Sequence, residues 1–161
     1  MIVSNTTPIS NLLHLDQFRL VASLCREVHV PEPVRDEVDQ AFARNREWRE
    51  ALDGGRVQVH KVTNDVLIQQ LRRTLHRGEA ETVALGVELG AKLCLMDDRD
   101  ARAVAEGFGI RLTGTLGLLL KAKQLGLLSS VRVLVGRLRD RHHFWISPRM
   151  YQEFVRLAGE Q

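Results

Sequence analysis

The chain has 161 residues, 44% hydrophobic and 27% charged, which is enough for one domain with a sizeable core and excludes a disordered or fibrous chain. Aromatics make up only 5%, so that core is built from Leu, Val and Ala. A net charge of +3 and a pI of about 9.2 permit a nucleic-acid partner without demanding one, and no apolar run is long enough to span a membrane.

Met1-Ile2-Val3-Ser4 reads as a short apolar strand with neither a basic stretch nor an apolar h-region, so no signal peptide is expected. Asn5-Thr6-Thr7-Pro8 supplies turn and N-cap chemistry. Ile9, Leu12 and Leu13 then keep helical spacing up to Asp16, and a second short helix covers Phe18 to Leu24. Cys25 and Cys94 lie in apolar surroundings and suggest no disulfide framework, which fits a reduced, cytoplasmic compartment. Val28-His29-Val30 is strand-like. Pro31-Glu32-Pro33 opens a longer helix with Val34, Val38, Ala41 and Phe42 on its apolar stripe and Glu37 beside it.

After a turn at Asp53-Gly54-Gly55, Val57-Gln58-Val59-His60 alternates like an edge or hairpin strand. Val66, Ile68 and Leu71 belong to a helix running toward His76-Arg77-Gly78. In Gly78–Leu85, Ala80, Val83, Ala84 and Val87 make one stripe, Glu79 sits in the dipole-favoured first turn, and Gly90 closes the helix. Leu93-Cys94-Leu95-Met96 does not alternate, as expected of a strand buried on both faces. Ala101, Val104, Ala105 and Phe108 stripe the next helix, and Gly109–Leu112 is another strand. Beyond Leu112 the chain reads as helical, with stripes at Leu116, Leu119 and Leu120, at Val131, Leu134, Val135 and Leu138, and a last helix from Pro148 to Leu157. Strands alternating with helices predict an α/β fold with a mainly parallel sheet covered by helices.

A parallel strand delivers the residues after it to the carboxyl edge of its sheet, where open α/β folds place their sites. That edge would collect Asn5, Asp97 and Asp98, with Glu79 opening the preceding helix, Glu37 reaching over, and Thr6 and Thr113 just beyond strands. Crowded carboxylates repel unless a cation or a proton relieves them; alternatively Asp98 caps the next helix while Asp97 and Asp100 are solvated. An all-oxygen cluster suits a hard divalent cation such as Mg²⁺ or Mn²⁺. There is no Cys/His spacing for zinc and no Walker-type loop. The adjacent His142 and His143 cannot face one cation from a regular helix, and read as structural or surface residues. Arg137 to Trp145 is the most basic and aromatic-rich stretch. It reads equally as a solvated helix face ending in a hydrophobic anchor and as an RNA contact.

The segments Ile2–Ile9, Gly78–Leu85 and Leu95–Arg102 resemble PIN-domain proteins in order and spacing. Thr113-Gly114-Thr115-Leu116-Gly117 through Lys123 is similar to a PIN-like branch, with a Gly-Thr-Leu-Gly helical extension, often found as presumed toxins of toxin–antitoxin pairs. The resemblance implies a three-layer α/β/α fold: a single domain over residues 1–161, with 113–161 as its helical C-terminal extension. It implies a Mg²⁺- or Mn²⁺-dependent endoribonuclease, with RNA as substrate, a small antitoxin as partner and a homodimer. Its acidic pocket maps onto Asn5, Glu37, Glu79 (with Glu81 the alternate), Asp97 and Asp98. Metal ligands would be Asn5, Glu79, Asp97 and Asp98, catalytic carboxylates Asp98, Asp97, Glu79 and Glu37, and positioning hydroxyls Thr6 and Thr113. Asn5 departs from the Asp usual in the family; its amide keeps an oxygen but loses a negative charge, which weakens metal binding. A non-catalytic nucleic-acid-binding module is the alternative, and an interaction protein whose carboxylates only cap helices is a third.

Overall fold

The computed structural model describes residues 1–160. Strands β1 (Ile2–Ser4), β2 (Val28–Pro31), β3 (Val57–His60), β4 (Leu93–Leu95) and β5 (Arg111–Thr113) form one parallel sheet in the order β3-β2-β1-β4-β5. Helices α1 (Thr6–His14) and α2 (Arg19–Cys25) join β1 to β2; α3 (Glu32–Phe42) and α4 (Arg46–Asp53) join β2 to β3. Helices α5 (Asp65–Leu71) and α6 (Arg77–Glu88) lead to β4, and α7 (Arg99–Gly107) leads to β5. Then α8 (Thr115–Gln124), α9 (Val131–Arg141) and α10 (Pro148–Leu157) follow. No described helix is long and apolar enough to cross a membrane.

The period-two alternation of strand side chains divides the core between the two faces of the sheet. Ile2, Val28, Val30 and Leu95 pack with α1–α4 and α8–α10, whereas Val3, Cys94 and Met96 pack with α5–α7. A central sheet between two helical layers is the expected three-layer α/β/α arrangement. The helices after β5 share the first of these cores through Leu119, Val135, Leu138 and Phe154, and this docks the tail over the carboxyl edge of the sheet.

Several local expectations are corrected. Helix α4 is not announced by an apolar stripe, because charged residues dominate it; Asn45 caps it by accepting from the Trp48 amide at 3.1 Å, and Trp48 and Ala51 are its buried anchors. Strand β3 is an edge strand parallel to β2, not half of a hairpin. Strand β5 starts at Arg111, because Gly109 turns the chain with φ of 74°, a conformation natural to glycine. Val87 and Phe108 are exposed: Leu85 takes the buried place in α6, and Phe108 is the C-cap of α7, past its packed face.

Candidate functional site

The strand order places the site. From β1 the chain winds outward through β2 and β3, then returns to β4 on the other side of β1. The crevice between two strands whose connections leave in opposite directions is where doubly wound sheets bind ligands. Ser4 pairs in register with Leu95, and the Asn5 amide donates to the Leu95 carbonyl at 3.1 Å. Asn5 therefore lies level with the residues leading into Asp97 and Asp98.

Asn5 is 2% exposed, and its Oδ1 has no hydrogen-bond partner. A buried amide oxygen left unsatisfied costs about 1–3 kcal/mol; Gln17 Oε1 and His29 Nε2 share that condition, and of the three only Asn5 directly follows β1. No charge at Asn5 competes with the neighbouring aspartates.

Asp97 is held firmly. Its Oδ1 accepts from the Thr115 amide at 2.8 Å, and its Oδ2 accepts from the Thr115 hydroxyl at 2.5 Å and from Asn11 Nδ2 at 3.3 Å. Asn11 also donates to Thr115 Oγ1 at 3.0 Å, closing the network. Burial pushes the Asp97 carboxyl above its ordinary range, against the pull of Thr115, Arg102 and Asn11. Arg102 is fixed alongside by donating to the Met96 carbonyl at 2.9 Å. Gly114 is required here, because a Cβ at this position would overlap Asp97 Oδ1. Asp98 caps α7, accepting from the Ala101 amide at 2.9 Å, and its side chain stays exposed. The capping reading and the cleft reading of Asp98 are thus compatible. Asp100 sits exposed in the first turn of α7.

Glu79 occupies the third position of α6 and reaches back to its own N-cap, accepting from the His76 amide at 3.3 Å, with His76 Nε2 2.9 Å from its Oε1. Burial raises the Glu79 carboxyl; His76 counters this, and the negative charge of Asp98 raises it further. That repulsion marks Glu79 and Asp98 as electrostatic neighbours. Glu81 instead pairs with Arg77 at 2.9 Å. Glu37 accepts from the Thr6 hydroxyl and lies against Gly78, where a Cβ would sit 3.2 Å from its Oε1.

Glu79, Asp97, Asp98 and Thr113 line one cleft of about 1230 Å³, which is also lined by the segment from His142 to Trp145 with Ser147 and Met150. Asn5, Thr6 and Glu37 are not on that lining. Among the described residues, no three His, Cys, Asp or Glu side chains form a ready metal cage. A second cavity of about 460 Å³ between α2 and α4 holds none of the expected carboxylates. Sequence reasoning overlooked Asn11, His76, Arg102 and the role of Thr115 as partner of Asp97. Asn11 had a signal: it is a buried polar residue within the Ile9–Leu13 apolar run. The tail had a compositional signal in the basic, aromatic-rich stretch Arg137–Trp145, but its place on the same cleft depends on docking of the last helices.

None of the curated proteins compared with the chain matches it. A family model described as DUF3368, PIN domain, matches residues 1–160. With the doubly wound parallel sheet and the carboxylates gathered at its switch point, that match identifies the chain: it belongs to the PIN-domain family, a nuclease-type module.

Proposed function

We propose that this PIN domain is an endoribonuclease dependent on Mg²⁺ or Mn²⁺ and the toxin of a toxin–antitoxin pair. The observation that carries the reading is the buried, unpartnered Asn5 oxygen at the end of β1, level with the strand that delivers Asp97 and Asp98. Asn5, Glu79, Asp97 and Asp98 would hold the cation; oxygen donors from carboxylates and an amide suit a hard ion that retains several waters. Such an ion, when bound, lowers the pKa of a coordinated water and neutralises charge on a phosphodiester oxygen.

The chain's own residues supply the orientation. Thr115 and Asn11 fix Asp97 and take both acceptor sites of its Oδ2 and one of its Oδ1, which leaves an Oδ1 lone pair for a cation. His76 holds Glu79 from its amide and its ring. Thr6 ties Glu37 to the start of α1, so Glu37 acts as a positioning residue behind the carboxylates. Thr113 lines the cleft between Asp97 and the tail wall, and Arg99 and Arg102 offer positive charge to a phosphate there. The toxin assignment rests on the resemblance of Thr113–Lys123. Exposed Leu125, Leu127, Val133 and Leu157 are the apolar surface that an antitoxin or a second copy would cover.

Purified protein is expected to cleave RNA with Mn²⁺ or Mg²⁺, to stop in EDTA, and to lose about 100-fold or more of its rate in Asp98→Asn and in Glu79→Gln. Expression of wild type, but not of Asp98→Asn, is expected to arrest growth with discrete cuts in total RNA. A second reading, a nucleic-acid-binding module without turnover, draws on the uncharged Asn5. Salt-sensitive RNA binding without cleavage under either metal selects that reading.

A further inference from the structure

Trp145 is 81% exposed, while its neighbours in the chain are anchored. On one side Phe144 packs against the core and its amide donates to the Leu138 carbonyl at 3.2 Å; on the other Ile146 is buried at 8% exposure. Before them, His143 takes a positive φ of 54°, and His142 stacks on His14 with ring centroids 3.8 Å apart. The exposure of Trp145 is therefore imposed by a braced segment. An in–out–in alternation turns one large aromatic face outward, on the lining of the cleft that also holds Asp97 and Asp98.

An indole left in water forgoes the gain of burying it, and this one shares its cleft with Arg99 and Arg102 beside the carboxylates. Cationic groups and a bare π-face on one cleft match a ligand that alternates phosphates and planar bases. We propose that Trp145 is a stacking platform for an unpaired base of single-stranded nucleic acid lying across the cleft, with the adjoining phosphate toward Arg99. A paired base keeps both faces stacked inside a helix, so the platform selects unpaired segments. The class of ligand rests on the nuclease reading; the stacking itself does not need turnover.

The test is an equilibrium titration in EDTA with an oligouridylate of about eight nucleotides, followed by tryptophan fluorescence. Trp48 is fully enclosed, with its Nε1 donating to Asp39 at 2.7 Å, so quenching reports Trp145. Wild type is expected to be quenched on binding. Trp145→Ala is expected to bind about 5- to 100-fold more weakly, and Trp145→Phe to recover most of the affinity. An abasic strand of equal length should bind wild type as weakly as the intact strand binds Trp145→Ala, and a DNA strand separates base stacking from sugar recognition. Equal affinity of wild type and Trp145→Ala, binding without quenching, or no binding overturns the proposal and leaves the rim to a protein partner. The measurement is made without metal. Turnover with no Trp145 effect therefore removes only this proposal, and quenching without turnover removes only the catalytic reading.

Discussion

At the scale of single residues, Asn5 and Gly114 decide most. Asn5 puts an unpaired oxygen where PIN-family resemblance leads one to expect a carboxylate, so the proposed metal set is one negative charge short. Asn5→Asp is expected to tighten Mn²⁺ binding about tenfold, as an added charge on a hard-cation site does, with isothermal titration as the readout; unchanged affinity removes Asn5 from the metal set. Gly114 is extended, so left-handed freedom is not what it provides. What it provides is room, since a Cβ would strike the carboxylate oxygen that Thr115 holds. Gly114→Ala is expected to cost about 1–3 kcal/mol in urea unfolding by overpacking and to cut RNA cleavage with it. Stability loss with full cleavage would show that Asp97 need not be held this way.

At the scale of elements, the start of α9 has its own brace. Glu160 accepts from the Ser130 hydroxyl at 2.7 Å and from the amides of Val131 and Arg132 at 2.8 and 3.1 Å, with Lys123 Nζ 3.2 Å away. Burial pushes the Glu160 carboxyl up, but those bonds outweigh it and bring it from 4.5 down to about 2. A carboxyl lowered on folding stabilises the native state fully above its unfolded value, and the gain is lost as pH falls toward the folded one. Stability should therefore drop between about pH 4.5 and 2, and Glu160→Gln should be less stable at pH 7 and show a shallower acid transition in thermal melts. Since α9 and the segment after it carry the cleft wall, the same variant should loosen Trp145 without touching Asp97. Helix α4 shows the limit of reading elements by periodicity: its charged surface hides the two residues, Trp48 and Ala51, that seat it.

At the scale of the whole molecule, sheet order, tail docking and cation act together. Because a cation at Asn5, Glu79, Asp97 and Asp98 would join α6, β1 and the β4–α7 turn, it should stabilise the fold as any native-state ligand does. Mn²⁺ at about a hundred times its Kd should add about 2.7 kcal/mol, read as a rise in Tm that EDTA reverses and Asp98→Asn abolishes. No rise at millimolar Mn²⁺ would count against the metal site as a whole. Most elements of this architecture were legible in the chain. The apolar run Leu93–Met96 and the final stripes from Val131 and Pro148 each carry local physics strong enough to define an element, whereas Asn5 at the start of α1 makes no side-chain cap. So was the emergence of Asp97 and Asp98 together, since residues following a parallel strand emerge at the sheet edge. The partners of those residues were not. Local sequence determined which side chains reach the carboxyl edge and that one of them, Asn5, lacks a charge. Only the tertiary structure decided that Asn11 and Thr115 grip Asp97, that Glu37 pairs with Thr6 off the cleft lining, and that Trp145 lines the same cleft as the aspartates, because each of these contacts joins segments far apart in the chain whose meeting depends on how the helices pack across the sheet.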